Sequence, residues 1–267
     1  MDRERYLSQG AAYVEAGLGA QALSLAQAAY DWSLANPGPG AALLPNKAGG
    51  EFYQDLANPN SFAAYDRLIH HPDITNLVRN AFQGNSGWFM YEQVFKKHGG
   101  ETRRTPWHQD TPYLPVSGQD LVVIWISFDE VDDDAALEFV AGSHLGQIFD
   151  GSRFDSNDDT APLYNHPEYQ RLPDIEGNRS SYEIISWSSN PGDAVLFHPS
   201  TLHGGAATQA DVTRRTLSLR FFGEDAVIAR RPGAKVANPD KNSHPLNQVR
   251  GLESGSPFRH PEFPKIF

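Results

Sequence analysis

The sequence predicts a mainly β protein, a sandwich or barrel, with helices flanking it on the N-terminal side. Before about residue 85, apolar residues recur at helical spacing. From Gly87 onward, short runs rich in Val, Ile, Phe, Trp and Tyr alternate with clusters of Gly, Pro, Asn and Asp. No helical stretch intervenes between those runs, which argues against a parallel α/β sheet.

Gly19 to Ala35 carries Leu23, Ala26, Tyr30 and Leu34 near the period of a buried helix face, and Asn36-Pro37-Gly38-Pro39-Gly40 stops it. Asn60-Ser61 reads as a cap ahead of a helix from Phe62 to His70. Pro72-Asp73 opens another that runs to about Phe82. Strands are expected over Trp88–Lys96, Leu121–Val131, Leu137–Val140, Tyr182–Trp187, Ala194–Phe197 and Thr216–Phe222. Phe149 to Arg179 is polar and irregular, with the acidic run 155–159, and reads equally as a lid or binding loop and as a disordered surface loop. The chain from Arg231 onward is broken by Pro232, Pro239, Pro245, Pro257, Pro261 and Pro264. The expectation is one domain over 1–267: a helical part to about 85, a β core over about 86–225, and an irregular tail.

Apolar residues are 39% of the chain and charged residues 21%, enough to bury a sizeable core. Lys plus Arg number 22 against 33 Asp plus Glu, a net charge of −11. This acidity disfavours nucleic acid and anionic membranes as partners, because both need a basic footprint. There is no cysteine, so disulfides, thiol nucleophiles and iron–sulfur clusters are excluded, and any metal must be held by His, Asp or Glu. Met1-Asp2-Arg3-Glu4-Arg5 leads into no apolar region of a signal peptide, and Leu121 to Ile126 is too short to span a bilayer. A cytoplasmic protein acting on a small molecule is expected; the oligomeric state is left open.

Three segments carry candidate chemistry. In Thr105 to Tyr113, His108 and Asp110 stand two apart, so on an extended chain both reach one metal ion. In Pro191 to Gly205, a turn and a buried strand lead to a glycine-lined bend holding His203. Two His and one carboxylate make a facial triad with open positions, which suits non-haem Fe(II). Zinc hydrolases also use His and carboxylate, but their helical His-Glu-x-x-His pattern is absent. In Thr213 to Phe221, Arg214, Thr216, Ser218 and Arg220 share one strand face. An Arg there suits a two-pronged carboxylate bond, although the segment by itself reads as a solvated outer face.

Taken together, Trp107-His108-Gln109-Asp110, Trp125, Ala136 through Ser143-His144, Gly192-Asp193 through His203-Gly204, and Arg214 resemble the phytanoyl-CoA dioxygenase family. The resemblance covers about Tyr91 to Phe222. It implies a double-stranded β-helix (jelly-roll, cupin-like) and a dioxygenase using Fe(II), 2-oxoglutarate and O2. It makes His108, Asp110 and His203 the iron ligands and Arg214 the clamp on the distal carboxylate of 2-oxoglutarate. Gln93 and Trp125 fall where the family lines the cosubstrate pocket; for Trp125 a core aromatic is the alternative. A carboxylate at Asp110, where halogenases of the family carry a small residue, implies hydroxylation or a related oxidation. Gly205 stands where many members have Ser, and residues 132–136 replace a usual Asn-Gly turn.

His198 and His144 fit the ligand set less well than His203. His70, His71, His98, His166, His244 and His260 lie in polar or Pro-rich surroundings and are expected to face solvent. Tyr91, Lys97, Trp107, Tyr113 and the loop over 149–179 are candidates for the substrate pocket. The substrate stays open between an acyl-CoA, an amino acid and another metabolite, the acidic balance weighing mildly against CoA. Two other readings stand beside the oxygenase: a catalytically silent jelly-roll sensor, and a cupin-type metal-dependent isomerase or hydrolase.

Overall fold

Along the longest strands, side chains alternate between two environments, and each set finds its own layer. The structure is a computed structural model that describes residues 1–44, 50–98, 104–155, 157–205, 207–208, 212–232 and 243–267. Ser156 of the acidic loop and Pro239 of the tail lie outside these residues.

In chain order the elements are α1 (Arg3–Gln9), β1 (Ala11–Val14), α2 (Ala20–Ala35), β2 (Ala42–Leu43), β3 (Glu51–Leu56), α3 (Ser61–Ile69), α4 (Pro72–Ala81) and β4 (Gly87–His98). They continue with β5 (Thr105–His108), β6 (Val116–Ser117), β7 (Leu121–Ser127), β8 (Leu137–Val140), β9 (Ile184–Ser186), β10 (Ala194–Phe197), β11 (His203–Gly205), β12 (Thr213–Gly223), β13 (Val227–Ile228) and α5 (Pro245–Val249).

The strands form a seven-stranded sheet in the order β1-β10-β7-β12-β4-β3-β2 and a four-stranded sheet β5-β11-β8-β9, with β6 and β13 paired apart. All ladders are antiparallel, and the fold is the expected jelly roll. One face of the large sheet presents Val122, Ile124, Ile126, Leu196, Leu217, Leu219 and Phe221, which pack beneath α2, α3 and α4 around Tyr30, Tyr65, Leu68 and Ile74. The other face turns toward the small sheet, where Val123, Trp125, Val195 and Phe197 meet Phe139.

The polar row Arg214, Thr216, Ser218 and Arg220 lies on this inner face. All four are buried, so the solvated outer face expected of the segment is overturned. Their alternation with Leu217, Leu219 and Phe221 is real, but both faces of a jelly-roll sheet are covered, one by helices and one by the opposite sheet.

The N-terminal part is not wholly helical. β1 forms the edge of the large sheet against β10, and β3 pairs with β4. β1 is four residues long, and its partner is far along the chain, so local periodicity does not reveal it. Asn60 precedes α3 but its side chain makes no cap bond; His71 Nδ1 accepts from Asp73 N at the start of α4. β7 ends at Ser127, and Val131 instead forms a lone bridge with Ser189.

The tail is irregular yet docked. Phe258 and Phe263 are buried against Phe222 and Met90, and Phe89 N donates to Pro264 O. Among the described residues no helix is long and apolar enough to cross a membrane.

Candidate metal centre

β5 and β11 are neighbours in the small sheet, and His108 and His203 are direct Cα partners across it. Paired residues on adjacent strands point to the same face, so both imidazoles enter the space between the sheets. Their ring centroids are 4.2 Å apart. Asp110 follows β5 on a turn anchored by its own N–H, which donates to Pro199 O at 2.7 Å. Its Oδ1 lies 3.6 Å from His108 Nε2 and 3.8 Å from His203 Nε2.

β11 must pass close to both neighbours for this. A Cβ on Gly204 would stand 3.0 Å from Thr105 O, and one on Gly205 3.0 Å from Leu137 Cδ2. The glycine at 204 is what this approach requires, since a backbone oxygen cannot move aside; at 205 the neighbour is the flexible end of a side chain.

The donor set fits a divalent metal. His108 Nδ1 sits 2.8 Å from Pro106 O and His203 Nδ1 2.9 Å from Thr201 O. Each carbonyl accepts a hydrogen bond from an Nδ1–H, which leaves both Nε2 atoms as acceptors facing Asp110, a tautomer assigned from this bonding pattern. Burial, then the neighbouring His108, lowers the His203 pKa to about 3, so its ring stays neutral and ready to ligate. Burial alone would push Asp110 up; the Arg220 guanidinium beside it outweighs burial and holds the carboxyl well below the usual range. Two imidazoles and one carboxylate, with ligand atoms all within 4.8 Å of one another, offer three ligand atoms on one side. Among the described residues this is the one such group.

The sequence model of the family "Phytanoyl-CoA dioxygenase (PhyH)" matches residues 6–216. The chain belongs to this family. It is 25% identical over 173 residues to the probable alpha-ketoglutarate-dependent hypophosphite dioxygenase of Stutzerimonas stutzeri, covering 64% of the chain and 57% of that protein. It is 24% identical over 201 residues to the human peroxisomal phytanoyl-CoA dioxygenase, covering 70% of the chain and 54% of that protein. The chain thus spans little over half the length of these relatives. Among solved structures, the epimerase SnoN in complex with Fe3+, alpha ketoglutarate and nogalamycin RO superposes with a TM-score of 0.71 at 19% identity, over 99% of this chain and 97% of that one. EctD from S. alaskensis follows the same fold with a TM-score of 0.66 at 14% identity, over 95% and 84%.

The other family positions fall on the inner face of the large sheet. Arg214 is buried and donates to Ala135 O, so the segment that replaces the family's usual turn meets this arginine directly. Gln93 and Trp125 lie either side of Ser218 in one cross-strand row. Trp125 also packs in one buried cluster with Val123, Phe139 and Phe197.

Several contacts escaped sequence reasoning. Arg220 Nη2 donates to Asp110 Oδ2 at 2.9 Å, and its guanidinium carbon stands 4.8 Å from the centre of the Tyr91 ring. Gln109, between His108 and Asp110, is fully buried; its amide donates to Ser200 O and accepts from Phe149 N. That bond ties the motif to the loop over 149–179. From the loop, Phe154 reaches back to His108 with ring centroids 5.2 Å apart, and it stacks on Tyr113 at 6.0 Å. The far end of the loop is fastened by Glu176, which accepts from Trp107 Nε1 at 2.9 Å and pairs with Arg104 and Arg179, both of which also hold Glu138.

His198 and His144 form a separate pair 5.6 Å apart, bonded to Gly118 O and Leu7 O, and take no part in the triad. His244 is a correction: it is 1% exposed, caps α5 through Nδ1 and packs on Phe62.

Proposed function

We propose that the chain is a non-haem Fe(II)- and 2-oxoglutarate-dependent oxygenase, one domain working in the cytoplasm on a small molecule. The observation that carries this reading is the convergence of His108 Nε2, Asp110 Oδ1 and His203 Nε2 beside a row of inward polar side chains that ends in the buried Arg214. The family, the alpha-ketoglutarate dependence in the name of the Stutzerimonas relative, and SnoN with its Fe3+ and alpha ketoglutarate support it. The cysteine-free, acidic composition suits a cytoplasmic enzyme without nucleic acid or membrane partners.

When bound, iron with 2-oxoglutarate supplies the oxidising power: R–H, O2 and 2-oxoglutarate become R–OH, succinate and CO2. The residues bind, orient and exclude water. The backbone carbonyls of Pro106 and Thr201 keep both imidazoles in the ligating tautomer. Arg220 occupies Oδ2 of Asp110 and so presents Oδ1 to the metal. Arg214 takes the distal carboxylate of the cosubstrate through its planar fork. Gln93 and Trp125 line the way between. Phe154 and Tyr113 cover the His108 side, which sets an aromatic face against the substrate and limits water there. A carboxylate at position 110 fills a ligand place that halide would need, so oxygen transfer is the favoured outcome.

Aerobic incubation with Fe(II) and 2-oxoglutarate tests this by succinate release. Slow release that needs the metal, and that speeds up with a subset of small molecules, is the expected result. Binding of 2-oxoglutarate without any succinate would identify a sensor. Turnover of a substrate without 2-oxoglutarate would identify a cupin-type enzyme.

A further inference from the structure

Directly across the sheet from Arg214, as its Cα partner in the β12–β4 ladder, stands Lys97. Direct partners share a face, so the lysine side chain also enters the space between the sheets. It is 4% exposed, and among the described residues its Nζ has no hydrogen-bond partner. It lies over the face of Phe52, 4.5 Å from the ring centre. Lys96, its neighbour in sequence, points to the other side of the strand and pairs with Glu51 at 3.2 Å. The two lysines therefore differ: one sits in an ordinary half-exposed ion pair, the other is buried with no acceptor for its N–H donors among the described residues.

An ammonium buried without an acceptor is costly. Placing it beside a buried guanidinium adds repulsion. Both effects are visible: burial, then the charge of Arg214, lowers the Lys97 pKa well below the usual amine range, and burial lowers that of Arg214 to about 10. An anion received between them offsets both penalties. The inner face of β12 runs from Arg220, which holds the metal-ligating Asp110, through Ser218 and Thr216 to Arg214. A ligand with one end at the metal and an anionic group at the other end matches that polarity.

We propose that Lys97 is a second cation of the cosubstrate pocket, holding the distal carboxylate of 2-oxoglutarate together with Arg214 from the opposite strand. This rests on the oxygenase reading above. It also moves Lys97 from the substrate pocket, where the sequence suggested it, to the cosubstrate.

The test is anaerobic titration of the Fe(II)-loaded protein with two 2-oxo acids: 2-oxoglutarate, and 2-oxovalerate, which carries a methyl group in place of the distal carboxylate. Wild type, Lys97→Met and Lys97→Arg are compared by calorimetry, and Fe(II) affinity is measured in each. Lys97→Met is expected to lose about tenfold or more in affinity for 2-oxoglutarate, the scale of one charge-assisted bond. It should leave 2-oxovalerate and Fe(II) binding unchanged, and Lys97→Arg should recover most of the loss. Unchanged 2-oxoglutarate affinity in Lys97→Met overturns the proposal and leaves Lys97 to an anion of another ligand. Equal losses for both acids overturn it too, because they mark a packing role. Should Lys97→Met not fold, Lys97→Gln carries the same comparison. Wild-type protein that binds Fe(II) but not 2-oxoglutarate refutes the oxygenase reading itself, a result separate from either of these.

Discussion

At the scale of single residues, the candidate ligands His108, Asp110 and His203 could be picked out because strand geometry is local, and the structure brings them together. A His and an Asp two apart on an extended segment, and a His against two glycines, announce their direction from sequence alone. Arg220 was not legible as a partner of Asp110: the two meet across 110 positions of chain, and the alternation that brings Arg220 inward looks the same on a solvated strand. The buried pair has a testable consequence. Removing one partner of such a pair costs about 3–5 kcal/mol, because the other charge is left uncompensated. Arg220→Met is therefore expected to lower the melting temperature of the metal-free protein. Mn(II), by engaging Asp110, should then raise that temperature more in the variant than in wild type. Equal Mn(II) shifts in the two proteins would show that the pair is not coupled to the metal site.

At the scale of elements, the strands with strong apolar runs were read within a few residues, and β1 and β3 were missed. Ala11–Val14 has no run long enough to signal a strand, and its pairing with β10 is a tertiary fact. The glycine pair of β11 gives a sharp comparison. Gly204→Ala pushes a Cβ against the backbone oxygen of Thr105, which cannot yield; overpacking of this kind costs about 1–3 kcal/mol. Gly205→Ser meets the flexible end of Leu137. Urea denaturation and Mn(II) affinity should both suffer in Gly204→Ala and change little in Gly205→Ser.

Helix α3 carries a pH signature. Glu92, buried on β4, accepts from Asn58 N and Ser61 Oγ at the head of this helix. Burial pushes its pKa from 4.5 up to about 7 despite those bonds. A folded pKa above the unfolded one means that the protonated form is favoured by folding. Its contribution to stability is full below about pH 4.5 and is lost as pH rises through about 7. Urea midpoints followed across that window should fall in wild type relative to Glu92→Gln. Parallel profiles for the two proteins would contradict the assignment.

At the scale of the whole molecule, sequence reasoning placed the β core and left the tail as an irregular appendage. Proline spacing shows where helices cannot form but not where a chain docks. Phe258 is fully buried, and the tail forms an edge of the core around Phe222. Truncating such an aromatic costs about 3–5 kcal/mol, so Phe258→Ala should lower the urea midpoint far more than substitution of the exposed Leu252. The charge distribution carries the same lesson. A chain of net charge −11 keeps Lys97, Arg214 and Arg220 buried on the inner face of the large sheet, so the overall charge read from composition does not give the charge of the site.

The central claim is that this interior brings a metal and a 2-oxo dicarboxylate together. It is tested most directly by adding Fe(II) and 2-oxoglutarate anaerobically to purified protein and recording the visible metal-to-ligand charge-transfer band. The band is expected in wild type, lost in Asp110→Ala, and weakened in Arg214→Ala at equal cosubstrate. Wild-type protein that takes up Fe(II) yet shows no band at saturating 2-oxoglutarate would contradict it.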